Sequence, residues 1–137
     1  MKKLTLLIAL TLTNILFSQG YSNGCGWTFE STSNYMSKSS QFINKANGNI
    51  EFHFSRNCDN LLEVINADGS RDVYYTENKS FNSGYTSNGN YYEAFNIYDT
   101  KNHLKVILQA FVVKRNGIKE VTSLRMFFKD GYNIEFL

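Results

Sequence analysis

The sequence predicts a small all-β protein, a single antiparallel domain of about eight strands that form a barrel or a two-layer sandwich. Apolar and polar residues alternate over most of the chain, as in Ile50-Glu-Phe-His-Phe54, and this two-residue period is typical of half-buried strands. Asp68-Gly69, Asn116-Gly117 and Asp130-Gly131 separate apolar runs, and these dipeptides favour tight hairpin turns. Turns this short join antiparallel neighbours, because parallel strands need long crossovers.

Length and composition indicate one folded domain. The chain has 137 residues, of which 42% are hydrophobic and 15% aromatic, and this composition excludes intrinsic disorder. Lys2 and Lys3 account for the whole formal net charge of +2, so the rest of the chain is neutral. A neutral domain lacks the basic surface that phosphate backbones attract, and we therefore expect no nucleic-acid partner.

The N-terminus has the three parts of a secretory signal peptide. Lys2-Lys3 is followed by an apolar stretch from Leu4 to Phe17 and then by the small residues Ser18 and Gly20. The apolar stretch is shorter than the roughly 20 residues that cross a bilayer. We predict a signal peptide over residues 1–20, cleaved within residues 18–20, and a single β-rich domain over residues 21–137. The domain should be exported to the periplasm or the extracellular space, with no transmembrane segment in the mature chain.

The period-two pattern and the turn residues predict the strands at residues 27–30, 50–54, 61–66, 71–77, 91–98, 104–114, 118–129 and 132–137. Residues 31–47 are rich in Ser, Asn and Lys. Their apolar members, at 35–36 and 42–43, are seven residues apart, which permits one short helix near residues 31–44. An irregular excursion is the alternative, because serine is a poor residue for a helix interior. The alternating positions predict a core of Phe52, Phe54, Val106, Leu108, Ala110, Val112, Ile134 and Phe136.

The polar segment at residues 78–90 is the main functional candidate. It is rich in Asn, Ser and Gly and contains Phe81 and Tyr85, a composition typical of adaptable binding surfaces. Tyr74, Tyr91 and Tyr92 in the adjoining strands could extend this surface. The segment therefore predicts a noncatalytic binding domain whose partner is a protein, a glycan or a small apolar ligand. In the alternative interpretation, Phe81 and Tyr85 anchor a short strand to the core.

Two other functions are compatible with the sequence. Glu51 and His53 share one face of a strand and could serve a small exported ribonuclease-like hydrolase as an acid–base pair. The simpler interpretation is that both are the solvent-facing residues of an alternating strand. A structural component of the cell envelope is the third option. GxSxG, HExxH and glycine-rich phosphate motifs are absent from the sequence, so we expect neither a cofactor nor a metal site.

Cys25 and Cys58 should form a disulfide in the exported protein, because the compartment is oxidising and the chain has no other cysteine. Closing a loop of about 33 residues should stabilise the domain by roughly 3.7 kcal/mol in the chain-entropy model. Mass spectrometry of unreduced exported protein should find no free thiol after alkylation. Two alkylated cysteines would contradict the pairing.

Overall fold

The computed structural model describes residues 26–55, 58–77 and 79–137, which form nine antiparallel strands. The strands are β1 (Trp27–Lys38), β2 (Gln41–Phe54), β3 (Leu61–Ile65), β4 (Arg71–Thr76), β5 (Asn82–Tyr85), β6 (Tyr91–Asp99), β7 (Lys105–Arg115), β8 (Ile118–Phe128) and β9 (Tyr132–Phe136). The predicted signal peptide lies outside the described residues. Within the described ranges, no helix is long and apolar enough to cross a membrane.

Eight of the nine strands form a closed barrel, which confirms the all-β prediction and selects the barrel over the sandwich. The sheet runs in the order β4-β3-β2-β1-β9-β8-β7-β6 and closes where β4 pairs with β6. Residues 74–76 of β4 pair with residues 97–99 of β6, and residues 82–85 of β5 pair with residues 91–94 of β6. Therefore β4 and β5 lie one after the other along the same edge of β6.

The antiparallel order places the chain reversals at two opposite ends of the barrel. We call one end the mouth; it carries the β5–β6 turn, the β7–β8 turn and Leu137. We call the other end the base; it carries the turns at residues 39–40, 66–70, 100–104 and 129–131.

The expectation of a short helix near residues 31–44 is wrong, because this segment is the β1–β2 hairpin. Ser39 and Ser40 form its turn with φ values of 48° and 66°. Strand β1 pairs with β2 on one side and with β9 on the other, so its backbone hydrogen bonds are made within the sheet. The serine and asparagine side chains of the segment favour this outcome, since they compete with helical backbone hydrogen bonds.

The side chains that the alternation predicted lie in the barrel interior, together with further apolar residues such as Leu62, Ile97 and Leu124. Seven of the eight predicted core residues are buried, and Ile134 is half-buried against them. Trp27 stacks on Phe54 with ring centroids 4.9 Å apart and planes 3° apart, and Phe54 contacts Phe95 at 4.8 Å. These aromatic contacts join β1, β2 and β6 across the interior, and thus stabilise the mouth-side half of the barrel.

Gly26, directly before β1, is required by a close backbone contact. Its φ is +118°, and a Cβ atom at this position would lie 1.9 Å from the carbonyl oxygen of Phe54. Any other residue would both clash with backbone and adopt an unfavourable conformation. Glycine therefore allows Trp27 to enter the core alongside Phe54.

The predicted disulfide is only partly within the described residues. Cys58 does not carry a free thiol. Its predicted partner, Cys25, lies outside the described residues, so the pairing stays a prediction.

Replacing Phe54 with alanine should lower the free energy of unfolding by about 3–5 kcal/mol, because the cavity would remove the contacts with Trp27 and Phe95. Phe42→Ala on the same strand is the matched control, since Phe42 is 68% exposed. It should change stability by less than about 0.5 kcal/mol. Equal midpoints for the two variants in urea denaturation would show that the assigned inward face of β2 is incorrect.

Candidate functional site at the barrel mouth

A large open depression lies at the mouth, between the β5–β6 turn and the β7–β8 hairpin. Its volume is about 990 Å³, at the upper end of the range for small-molecule sites. The depression is lined by residues 85–91 and 111–114 and by Lys119, Thr122, Ser123, Arg125 and Glu135. These lining residues include residues 85–90 of the polar segment at residues 78–90, which was predicted from the sequence as the binding surface.

Two tyrosines form an aromatic wall of the depression. Tyr85 and Tyr91 are paired across β5 and β6, with ring centroids 5.3 Å apart and planes tilted by 59°. Tyr91 is half-buried and packs against the core, whereas Tyr85 is 74% exposed. The inner ring thus supports the outer one, which presents most of its surface to solvent.

The β5–β6 turn is held by three hydrogen bonds. The Thr86 amide donates to the carbonyl of Asn90, and the Gly89 amide donates to the carbonyl of Thr86, both at 2.9 Å. The Asn90 amide also donates to Oγ1 of Thr86 at 3.2 Å. Ser87 and Asn88 are exposed at the tip. The turn is therefore ordered and presents hydroxyl and amide groups beside the aromatic wall.

A buried carboxylate lies under the mouth. Glu93 is 7% exposed and shares the inward face of β6 with Phe95 and Ile97. The Nζ of Lys119 donates to Oε1 of Glu93 at 2.6 Å. This hydrogen bond raises the pKa of Lys119 above its usual value, against the effect of burial. The ion pair with Glu93 therefore holds the Lys119 ammonium group in place at the mouth.

The depression continues over the rim to the outer face of the barrel. Arg125 Nη2 lies 3.1 Å from Oε1 of Glu135, and its guanidinium lies 5.6 Å from the centroid of the Phe111 ring. Phe111 alternates with the inward-facing Ala110 and Val112 and therefore faces outward. The site thus combines inner and outer side chains of the β7–β8 hairpin.

The other aromatic residues predicted for the site lie elsewhere around β5 and β6. Tyr92 is on the outer face, where its ring packs over Gly84 and lies 6.5 Å from Phe111. Phe81, just before β5, is 52% exposed, and its amide donates to the carbonyl of Ala94. The predicted segment therefore forms a strand with β6, but both of its aromatic residues remain exposed.

Tyr74 is far from the mouth. It pairs with Asp99 at the base end of β6, about 26 Å along the strand from Tyr91. Burial raises the pKa of Tyr74 to about 12, and the nearby carboxylates of Asp72 and Asp99 contribute in the same direction. Among the predicted residues, the structure therefore brings together Tyr85 and Tyr91, and it separates Tyr74 from them.

The proposed acid–base pair is formed, but on the outer face of β2. His53 Nε2 lies 3.1 Å from Oε2 of Glu51, and the His53 side chain is 15% exposed. Both alternate with Phe52 and Phe54, which point into the barrel. Neither residue lines the mouth depression. No group of three or more potential metal ligands occurs in the part of the chain that the structure describes.

Sequence reasoning missed the charged residues of the mouth. Glu93 carried a signal, since it occupies an inward position among apolar residues of β6 and a carboxylate there needs a partner. Lys119 gave no such signal in the sequence, because its contact with Glu93 depends on the pairing of β6, β7 and β8.

Replacing Lys119 with methionine should lower the free energy of unfolding by about 1–2 kcal/mol at pH 7, because the buried Glu93 loses a charged hydrogen bond. The raised pKa of Lys119 means that this contribution is complete below lysine's ordinary pKa of 10.5 and is lost as the pH rises through the higher value. Lys114→Met, on the facing strand, should leave stability unchanged or slightly raised. Denaturation at pH 7 and above pH 11 provides the comparison, and equal stability of the two variants at pH 7 would contradict the role of the pair.

Comparisons of this chain with protein-family models, curated proteins and solved structures found no match.

Proposed function

We propose that this protein is an exported, noncatalytic binding domain that holds a sugar-like ligand in the mouth depression. The observation that carries the proposal is the exposed Tyr85 ring, supported from behind by Tyr91, at the wall of a 990 Å³ depression. A large exposed aromatic ring needs an explanation when it lines a concave surface, because such surfaces are where ligands are bound.

The chemistry of the wall suits a sugar. An aromatic ring offers a flat apolar surface for the C–H face of a sugar ring, while its hydroxyl remains available for hydrogen bonds. Ser87, Asn88 and Asn90 are exposed beside it and can donate to or accept from sugar hydroxyls. Their backbone is fixed by the Thr86 contacts, so little ordering of the turn is required on binding.

The position of the site also favours binding over hydrolysis. The candidate acid–base pair, Glu51 and His53, is on the outer face of β2 and does not line the depression. A general acid or base must be within hydrogen-bond reach of the group it serves, directly or through one water. The hydrolase therefore has less support than the binding domain.

The double variant Phe81→Ala/Tyr85→Ala should lose binding to a printed array of neutral and acidic oligosaccharides that the unmodified protein recognises. Its melting temperature should stay within about 2 °C of the original, because both rings are more than half exposed. Tyr75→Ala is the matched control, since Tyr75 is 50% exposed on β4, away from the depression. Sugars recovered from the complex should be chemically unchanged.

Two results would contradict the proposal. The first is a double variant that melts several degrees lower and still binds normally, which would make these rings structural. The second is an unmodified protein that binds no sugar on the array.

A further inference from the structure

Two lysines face each other at the mouth. Lys114 of β7 and Lys119 of β8 are direct partners in the antiparallel register, one residue pair before the turn of the β7–β8 hairpin. Each is two residues from a buried valine, Val112 or Val121, and so both share the inward-facing side of the hairpin. Directly opposed residues have Cβ atoms about 4.5–5.5 Å apart, and like charges in this position destabilise a sheet.

Of these two lysines, Lys119 alone has an ion-pair partner among the residues that the structure describes. Its Nζ lies 2.6 Å from the carboxylate of Glu93. Lys114 is exposed, lines the depression, and takes part in none of the ion pairs found among the described residues. The repulsion between the two ammonium groups is therefore only half offset, and a second negative charge would be stabilised beside Lys114.

The remaining charges of the depression add to the same effect. Arg125 lines the depression, and its guanidinium is shared with Glu135. Three cations thus face two carboxylates, counting the buried Glu93, and the depression has an excess of positive charge. The exposed ring of Tyr85 lies in the same depression.

We propose that the ligand of the mouth depression is an acidic sugar, whose carboxylate binds Lys114 and whose ring packs on Tyr85. This inference rests on the proposed function and specifies the charge of the ligand. One carboxylate on a sugar supplies the missing charge and also provides the C–H face that the tyrosine needs. A polyphosphate such as a nucleic acid fits less well, because the chain after Lys2 and Lys3 has no net charge.

The experiment compares acidic sugars with their uncharged methyl esters. The exported protein is titrated calorimetrically with trigalacturonate, triglucuronate and N-acetylneuraminate, and with the methyl ester of each. At least one acid should bind about tenfold more tightly than its ester, which corresponds to about 1.4 kcal/mol. The Lys114→Gln variant should bind that acid and its ester equally well.

Lys105→Gln is the matched control for Lys114→Gln. Lys105 is an exposed lysine of the same strand, and it lies at the base instead of the mouth. This variant has the same net charge as Lys114→Gln and should keep the full preference for the acid. Because Lys114 is exposed, both variants are expected to fold, and their melting temperatures verify this.

The outcomes separate this inference from the proposed function. Equal binding of acid and ester, lost in Tyr85→Ala, would overturn the acidic ligand and leave a sugar-binding domain. An acid preference that persists in Lys114→Gln, or that disappears equally in Lys105→Gln, would show that the carboxylate binds elsewhere. Failure of all six ligands to bind at 10 mM would also overturn the inference, while neutral sugars on the array would decide the proposed function separately.

Discussion

The division of one edge of β6 between two strands determines both the closure of the barrel and the shape of its mouth. β4 pairs only with the base end of β6, and this ladder of three residue pairs closes the sheet. β5 then takes the mouth end of the same edge and returns through the turn at residues 86–90. Because β5 is an addition to the closed barrel, its turn and Tyr85 can project at the rim without interrupting the sheet.

The sequence predicts the strands from β3 to β9, except the short β5, almost to the residue, because alternation and turn chemistry agree there. Asn116 and Gly117 both have positive φ, at 51° and 82°, which is the conformation that an Asn-Gly hairpin turn prefers. The β1–β2 hairpin has the same kind of turn at Ser39 and Ser40, but serine carries no such preference. Without that signal, and because residues 41–47 of β2 are exposed and show no alternation of apolar and polar residues, sequence periodicity could not identify the hairpin.

The site was predictable only in its aromatic and polar parts. Tyr85 and the turn that follows it are adjacent in sequence, so composition alone located them. The charged part is assembled from different strands: Glu93 and Lys119 are 26 residues apart, and Lys119 opposes Lys114 only in one register. A bulge between Phe111 and Val112 sets that register, and a bulge leaves no reliable mark in a single sequence.

The β1–β9 ladder has a consequence for folding kinetics. Among the described strands, every other ladder joins strands that are adjacent or next but one along the chain. In contrast, Ser37 of β1 and Asn133 of β9, whose side chains are hydrogen-bonded at 2.7 Å, are 96 residues apart. Hairpins form within about 1–10 μs, but this long closure is entropically costly and slow. Until β9 reaches β1, the chain is an open meander with unpaired strand edges, and this is the state in which it is most prone to aggregate.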